Sequence, residues 1–556
     1  MEFDFAYRGS SSVTSTAEAS GLSFSPDLSR PPTYFRGQIG KALEFREAIS
    51  ALHGVVVSDL RYKPKDREAY RRWLADNEEA LLAEMIAETS TLKGKVQALR
   101  LELDRLESES RRRMKPFFDA RQRYFHYLYR RDLDTWYVLD PVITVHPDQI
   151  FFECFSQDES TYGRLSASYE VFKRVGDHAC GTTNIDYSER LYQEFQKIRT
   201  YKETSLEIDP GGFEVDVENE PNYREVKIDL PDSWVRGFLQ VSSAMTFPAI
   251  EIELHPFDVY NLCFVLRRRR ELFGPRSIRF FLRPGEPVSA HLDPWGIEVP
   301  CPRSVYKGRQ THEVRLWGRR RLHILERLIP LAKRFSVRLL GTGMPSFWQA
   351  DLGDMTFTLG LSGWTANDWS QAGNFDLLAP RGDVDAHTAT RVFEALKATY
   401  FARPDELAQK LGLERSTVLA ALAVYTQAGR VICDLETDVY RCRELARDPL
   451  PIAALRFANA RETAAVGLIE SGRIVLEGVD EIGRDVQVRG RLKSAGRSDD
   501  RDVVILIDAD DRLTQAQCTC NFFAQNRLRK GPCEHMLGVR GLYERKRRER
   551  VERGGH

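Results

Sequence analysis

The sequence contains no run of about eighteen apolar residues, the length that a membrane-spanning helix needs. Its opening, MEFDFAYRGSSSVTSTAEAS, lacks the basic start and apolar stretch of a secretory signal. Neither sign of charge is in excess: 81 Lys and Arg face 81 Asp and Glu in 556 residues. A chain that coats nucleic acid along its whole length is usually basic, so any such contact must be local. Cysteine is sparse. Six of the nine (Cys154, Cys180, Cys263, Cys301, Cys433 and Cys442) stand alone. That usage argues against a disulfide framework and fits a reducing cytoplasm, the expected location.

Catalytic signatures are also missing. GTGMPS, from Gly341, has Pro345 and Ser346 where a dinucleotide fingerprint would end in glycine, so it reads as a turn. GLSGW lacks the second glycine of a nucleophile elbow, and there is no phosphate-loop Lys-Ser/Thr or zinc-protease His-Glu pair. His178-Ala-Cys180 reads as a core cysteine beside a surface histidine. Arg267–Arg270 reads as the polar face of a helix. Trp348, Trp364 and Trp369 lie close together in sequence, as a core corner or as a stacking surface.

What is present describes a multidomain α+β protein. Hydrophobic residues are 42% and aromatics 10%, ordinary for a globular chain, and the length calls for three or four cores. Residues 1–33 hold eight serines and few apolar anchors, and are expected to be a disordered tail. Residues 34–135 are expected to be helical. Leu82, Met85, Thr89, Leu92, Val96, Leu99, Leu103 and Leu106 step by three and four, the seam of a coiled coil, which implies either a homodimer or a long helix packed on its own protein. Residues 136–380 mix strand patterns such as AIEIEL and SIRFFL with helical ones, with a division expected near Pro256. Residues 381–445 read as three helices and a hairpin, similar to a winged helix. That unit carries nine basic and ten acidic residues, and Asp434, Glu436 and Asp438 occupy its hairpin turn. In its third helix the positions opposite the apolar stripe include Arg415, Ser416, Ala420, Ala423 and Gln427. A DNA reader needs more Arg, Lys, Asn or Gln there, so this unit is expected to pack or to contact protein.

Residues 446–556 are β-rich and end in CTCNFFAQNRLRKGPCEHMLGVR. Cys518 and Cys520, read as a strand pair on one face, can turn to one ion; Cys533 and His535 follow a Gly-Pro stop, at the start of a helix. Three thiolates and an imidazole form a closed tetrahedral set that suits one structural Zn2+ and leaves no position for a reactive water. The Cys-x-Cys…Cys-x-His order, hairpin then helix, resembles the SWIM-type zinc finger, with Glu534 where that family often has lysine. The resemblance implies contact with DNA or with other proteins. The central block looks like the region before the zinc finger in bacterial SWIM proteins. Some of these are thought to act beside AAA ATPases and von Willebrand A proteins. From Asn521 onward ten basic residues face four glutamates, and Arg527, Arg529, Lys530, Arg545, Lys546, Arg547 and Arg548 are the candidate phosphate contacts for DNA or RNA. The expected function is a zinc-binding scaffold or adaptor with protein partners. The alternative is an enzyme acting on nucleic acid or phosphate substrates, with its site in 136–380.

Overall fold

The strands Gln149–Phe155 and Met355–Leu361 are buried at every residue. Successive side chains of a strand point to opposite faces, so a fully buried run must be covered on both sides. These strands lie in an eight-stranded sheet, in the order 250–254, 334–339, 346–351, 355–361, 161–168, 149–155, 142–145 and 181–184. Every pairing in it is antiparallel. The computed structural model describes residues 12–15, 19–24, 33–58, 141–184, 196, 198–201, 203–208, 232–269, 276–363, 369, 375–378, 384–445, 460–493, 500–508 and 512–554. The chain divides into two compact units, and the smaller, Leu60–Val138, lies outside the described residues together with the expected coiled-coil seam.

One face of the large sheet buries Ile143, Phe152, Leu165, Trp348 and Phe357 in one core with the helix Ala42–Val56, which lies over the strands 149–155 and 161–168. That helix inserts Phe45, Ile49, Leu52 and Val56 at steps of four and three, each contributing about 1.5–3 kcal/mol on full burial. It approaches so closely that a Cβ on Gly163 would meet Val55 Cγ2 at 2.9 Å. The helix Pro256–Arg268 and a four-stranded sheet (277–282, 287–292, 297–305 and 312–317) complete this core. The other face packs Phe151, Phe155, Tyr162 and Phe347 against the helix Asp232–Met245, whose Phe238 ring lies 4.7 Å from that of Phe155.

The expected division near Pro256 is not there. Ile250–Leu254, just before this proline, pairs with Arg334–Leu339 far beyond it. Pro256 instead opens a helix, in the first turn, where its missing N–H costs nothing. The helical start expected at Tyr34 is also corrected: Tyr34–Ile39 is a strand, and helix begins only at Ala42. Within the expected disordered tail, Ser12–Ser15 and Ala19–Phe24 are strands. They join Tyr34–Ile39, Phe172–Ala179 and Glu203–Ile208 in a five-stranded sheet. The physical reason is pairing at long range, Ala19–Phe24 lying parallel to Glu203–Ile208, which local composition does not reveal.

The helices Ala386–Lys397, Pro404–Leu411 and Arg415–Gln427 and the strands Phe401–Ala402, Val431–Asp434 and Val439–Cys442 form the next layer. Asp385 caps the first helix by accepting from Thr388 N at 2.9 Å. Gly412 closes the second with φ +65°, a left-handed position that suits glycine. The third helix has no polar outer face beyond its first turn. Ala420, Ala423 and Gln427, expected to face solvent, are buried. Arg415 is exposed and pairs with Asp405 at 2.9 Å. Trp348 and Trp369 are fully buried, so both belong to the core rather than to a stacking surface; Trp364 lies outside the described residues.

The last layer is an antiparallel meander, Ile474–Ile482, Asp485–Leu492, Arg501–Ile507 and Leu513–Cys518, covered by the helices Ala460–Glu470 and Glu534–Gly554. No helix of the described residues is long and apolar enough to cross a membrane.

Candidate metal centre

The meander places the first ligand and the long helix places the last two. Cys518 ends its strand, opposite Val503. Cys520 is not on that strand, which corrects the expected strand pair. It is extended (φ −74°, ψ 154°) and caps the short helix Asn521–Asn526, its Sγ accepting from Phe523 N at 3.4 Å. The chain reverses through Arg527 (φ 51°) and Gly531 (φ 79°), and Pro532 leads into Cys533. Cys533 immediately precedes the helix Glu534–Gly554, and its C=O accepts from Leu537 N at 3.1 Å. A thiolate there gains from the N–H groups and the positive end of the helix dipole. Behind the cluster Met536, Val539 and Leu542 pack onto Val488, Val503 and Ile505. A Cβ on Gly490 would meet Val539 Cγ2 at 2.7 Å, so the glycine lets helix and sheet close on the site.

The ligand atoms of Cys518, Cys520, Cys533 and His535 all lie within 4.8 Å of one another, and all four residues are buried. A tetrahedron with Zn–S bonds of about 2.3 Å has edges of about 3.8 Å. Cys518 Sγ already lies 3.7 Å from His535 Nδ1. The donor set therefore fits one Zn2+, held for structure, because four protein ligands close the coordination sphere. Hydrogen bonding from Cys533 holds the Cys518 thiol down at about 4, with His535 and Cys520 adding to it. The same contact pushes Cys533 far up, and burial raises Cys520. Three packed sulfurs thus share one negative charge until a cation lets all three ionise.

Nδ1 faces the sulfurs, so Nε2 faces outward. It lies 3.2 Å from Arg501 Nη1 and 3.5 Å from Glu534 Oε1. An imidazole ligating through Nδ1 carries its proton on Nε2, and only the carboxylate can accept it. Glu534, which is no ligand, thus stands within ion-pair distance of the outward nitrogen of His535.

The candidate phosphate contacts fall into two groups that the fold does not bring together. Arg527, Arg529 and Lys530 lie in the loop before Pro532, while Arg545, Lys546 and Arg547 are exposed toward the far end of the long helix. Glu534 and Arg545 are eleven residues apart, about 16 Å at about 1.5 Å per residue. Arg529 turns inward, donating to the Gln525 and Asn526 carbonyls at 2.6 and 3.0 Å. Arg527 stacks over Phe523. The backbone around Arg548 is helical. Arg540, not singled out by charge, is buried, bonds Glu544 and donates to the Leu377 carbonyl at 3.3 Å, tying the module to the central region.

Burial disfavours the thiolate form of the other cysteines. Burial pushes Cys263, Cys301, Cys433 and Cys442 up to about 12, and raises Cys154 as well. Cys180 is raised by burial as well, and the His178 ring packs edge-on against Tyr169 at 5.3 Å. The GTGMPS segment is a turn between antiparallel strands, not a strand-to-helix phosphate loop. A cleft of about 390 Å³ in the central region carries Glu251, Arg334, Arg338 and Asp351. Its arginines are engaged in ion pairs, Arg338 with Glu251 and Asp438, Arg334 with Asp351.

The SWIM zinc finger family model matches residues 502–539, which hold all four ligands. No curated protein matches the chain. Among solved structures, the proliferating cellular nuclear antigen from Entamoeba histolytica is similar over 40% of this chain and 88% of that chain, at 10% identity and a TM-score of 0.27. So distant a likeness carries no functional argument.

Proposed function

We propose that the chain is a zinc-stabilised scaffold or adaptor, in which the SWIM module is an interaction element and the zinc serves folding rather than turnover. The observation that carries this reading is the closed set of four buried ligands around one point, with no coordination position left for substrate or water. The paired charges of the central cleft and the raised thiols favour it over an enzyme. Residues 381–445 act in this reading as a winged-helix-like packing module. Homodimerisation through the heptads at 82–106 and partnership with an ATPase system belong to the same proposal. Protein partners are the primary class. DNA or RNA would meet the exposed basic end of the C-terminal helix.

The test is recovery of tagged, zinc-replete full-length protein beside Cys533→Ser. A protein partner retained by the first and lost by the second is expected. A partner held equally by both would overturn the scaffold role of the zinc module. Bound material that is removed by nuclease would move the reading to nucleic acid.

A further inference from the structure

The helix Pro256–Arg268 has two faces, and the outer one is unusual. Val259, Leu262, Cys263 and Leu266 point into the core. The opposite face carries Phe257, Tyr260 and Phe264, which are 62%, 44% and 36% exposed. Their spacing of three and four places all three on one stripe. Scattered surface hydrophobes need no explanation, but an aromatic stripe along one helix marks a contact.

Arginines flank this stripe at both ends. Arg267, Arg268 and Arg269 are exposed at its C-terminal end. Arg303 borders the other end, its guanidinium 5.4 Å from the Phe257 ring centroid. The helix's one acid, Asp258, is fully buried; it accepts from Ser304 Oγ and the Arg303 N–H, and its other oxygen lies 3.9 Å from the Arg303 guanidinium, which offsets part of the charge there. Glu326 lies 3.7 Å from Arg267 and offsets part of the charge at that end.

We propose that this face docks an acidic amphipathic helix of a protein partner, apolar side chains along Phe257, Tyr260 and Phe264 and carboxylates at the flanking arginines. Heptad-like spacing is what a second helix packs against. A second copy of the same face is disfavoured, since it would bring arginine against arginine. Single-stranded nucleic acid is disfavoured for a different reason. Stacking needs open ring faces. Here His255 stacks on Phe257 at 5.5 Å and 9°, and Arg268 lies over Phe264 at 4.4 Å. The inference deepens the scaffold reading by naming a surface and a partner chemistry. It lies away from the zinc module, so the two can fail separately.

The probe is a fluorescein-labelled peptide of about five helical turns, with leucine at i, i+3, i+4 and i+7 and glutamate on both flanks. Controls are its lysine-flanked counterpart, a scramble of the same composition and an oligothymidylate. Anisotropy titrations on zinc-replete full-length protein should show the glutamate peptide binding at least about tenfold tighter than either peptide control. Tyr260→Ser with Phe264→Ser should cost about tenfold or more, with zinc content and circular dichroism unchanged. Arg268→Glu with Arg303→Glu should reverse the preference towards the lysine peptide, a result that mere loss of folding cannot give. Equal binding of both flanked peptides, or binding unaffected by either double variant, would overturn the proposal. So would absence of peptide binding, including the case where oligothymidylate binds and is lost with the aromatics. Failure of the scaffold reading would appear instead as a partner kept by Cys533→Ser.

Discussion

The unit at 384–445 and the zinc module at 460–554 are built from similar parts, helices on a small antiparallel sheet, but they are held by opposite means. The first is fastened to the central sheet by buried charge. Arg441 bonds both oxygens of Asp148 at 2.9 Å and Asp434 at 2.7 Å, Arg164 lies 3.4 Å from Asp434, and Arg443 pairs with Glu153 at 2.9 Å. His146 Nε2 meets the Cys442 carbonyl at 2.6 Å. The second is held internally by four metal ligands. Of the three hairpin acids, Asp434 is buried as an internal fastener, whereas Glu436 and Asp438 are exposed, Asp438 reaching Arg338 at 2.9 Å. Net charge says what a segment carries, not which way it faces. The two means of attachment should also fail differently, one to metal removal and the other to acid or to loss of a single partner.

The largest effect should follow loss of a ligand. Structural zinc contributes about 10–16 kcal/mol of binding free energy that is also folding free energy. Cys533→Ser should release the zinc and abolish amide-exchange protection in Arg501–Ile507 and Leu513–Cys518, while Val431–Asp434 stays protected. Simultaneous loss of protection in both regions would show that they are one cooperative unit.

Removing one member of the buried pair comes next. Glu153→Ala leaves Arg443 fully buried without its carboxylate, which costs about 3–5 kcal/mol. The melting temperature should fall with zinc content unchanged. Replacing both residues by Met should restore much of the loss, because an apolar pair of similar volume avoids the desolvation of both ions. No recovery in the double variant would mean that the charges are needed for the docking geometry itself.

Acid should separate the regions more gently. Burial holds the His146 imidazole down at about 4, with Arg441 adding to it, against 6.5 for a free histidine. The unfolded chain then takes up the proton first, so stability present above about 6.5 is lost as pH falls towards 4. From pH 7 to pH 5 the loss is about 2 kcal/mol. His53, also lowered to about 4 by burial and then by Arg327, contributes in the same window. Thermal melts of His146→Asn should therefore show a shallower, not a flat, pH dependence. Asp434 acts lower down. Burial works to raise it, but Arg164 and Arg441 overcome that and hold it at about 2, so its contribution is lost between about 4 and 2. An unchanged profile in His146→Asn would remove this fastener from the account.

Four ligands within eighteen residues were legible because their geometry is local: a strand end, a helix cap and a helix start. The strands Ile250–Leu254, Ser277–Leu282 and Arg334–Leu339 were legible from apolar alternation. The inward face of the acidic hairpin was not, because the partner of Asp434 on the central sheet, Arg164, stands 270 positions away. The aromatic stripe at 257–264 was hidden for the opposite reason. Its residues look like core residues in sequence, and only the placement of Leu262, Cys263 and Leu266 beneath the helix leaves them outside. Tyr34–Ile39 read as helix because its partner, Glu203–Ile208, enters much later in the chain.

The smallest effect belongs to the charged end of the C-terminal helix, where the comparison makes its finest distinction. Arg545, Lys546 and Arg547 are exposed beyond the last buried residue there, Leu542, so replacing them and Arg548 by Gln should change stability by no more than about 0.5 kcal/mol. If DNA or RNA binds this chain, the same change should weaken every sequence alike, since phosphate contacts carry no base information. Each phosphate left without its cation should lower the log–log salt slope by about 0.7–0.9. Arg415→Ala should do little by comparison, because that side chain is paired with Asp405 and most of the helix behind it is buried. Filter-binding titrations across a salt series distinguish the two. Binding abolished by Arg415→Ala and untouched by the C-terminal change would mean that the buried unit presents the nucleic-acid surface after all, through its first helical turn. Absence of binding at low salt would leave the basic helix end as a solvated terminus and the partners as proteins alone.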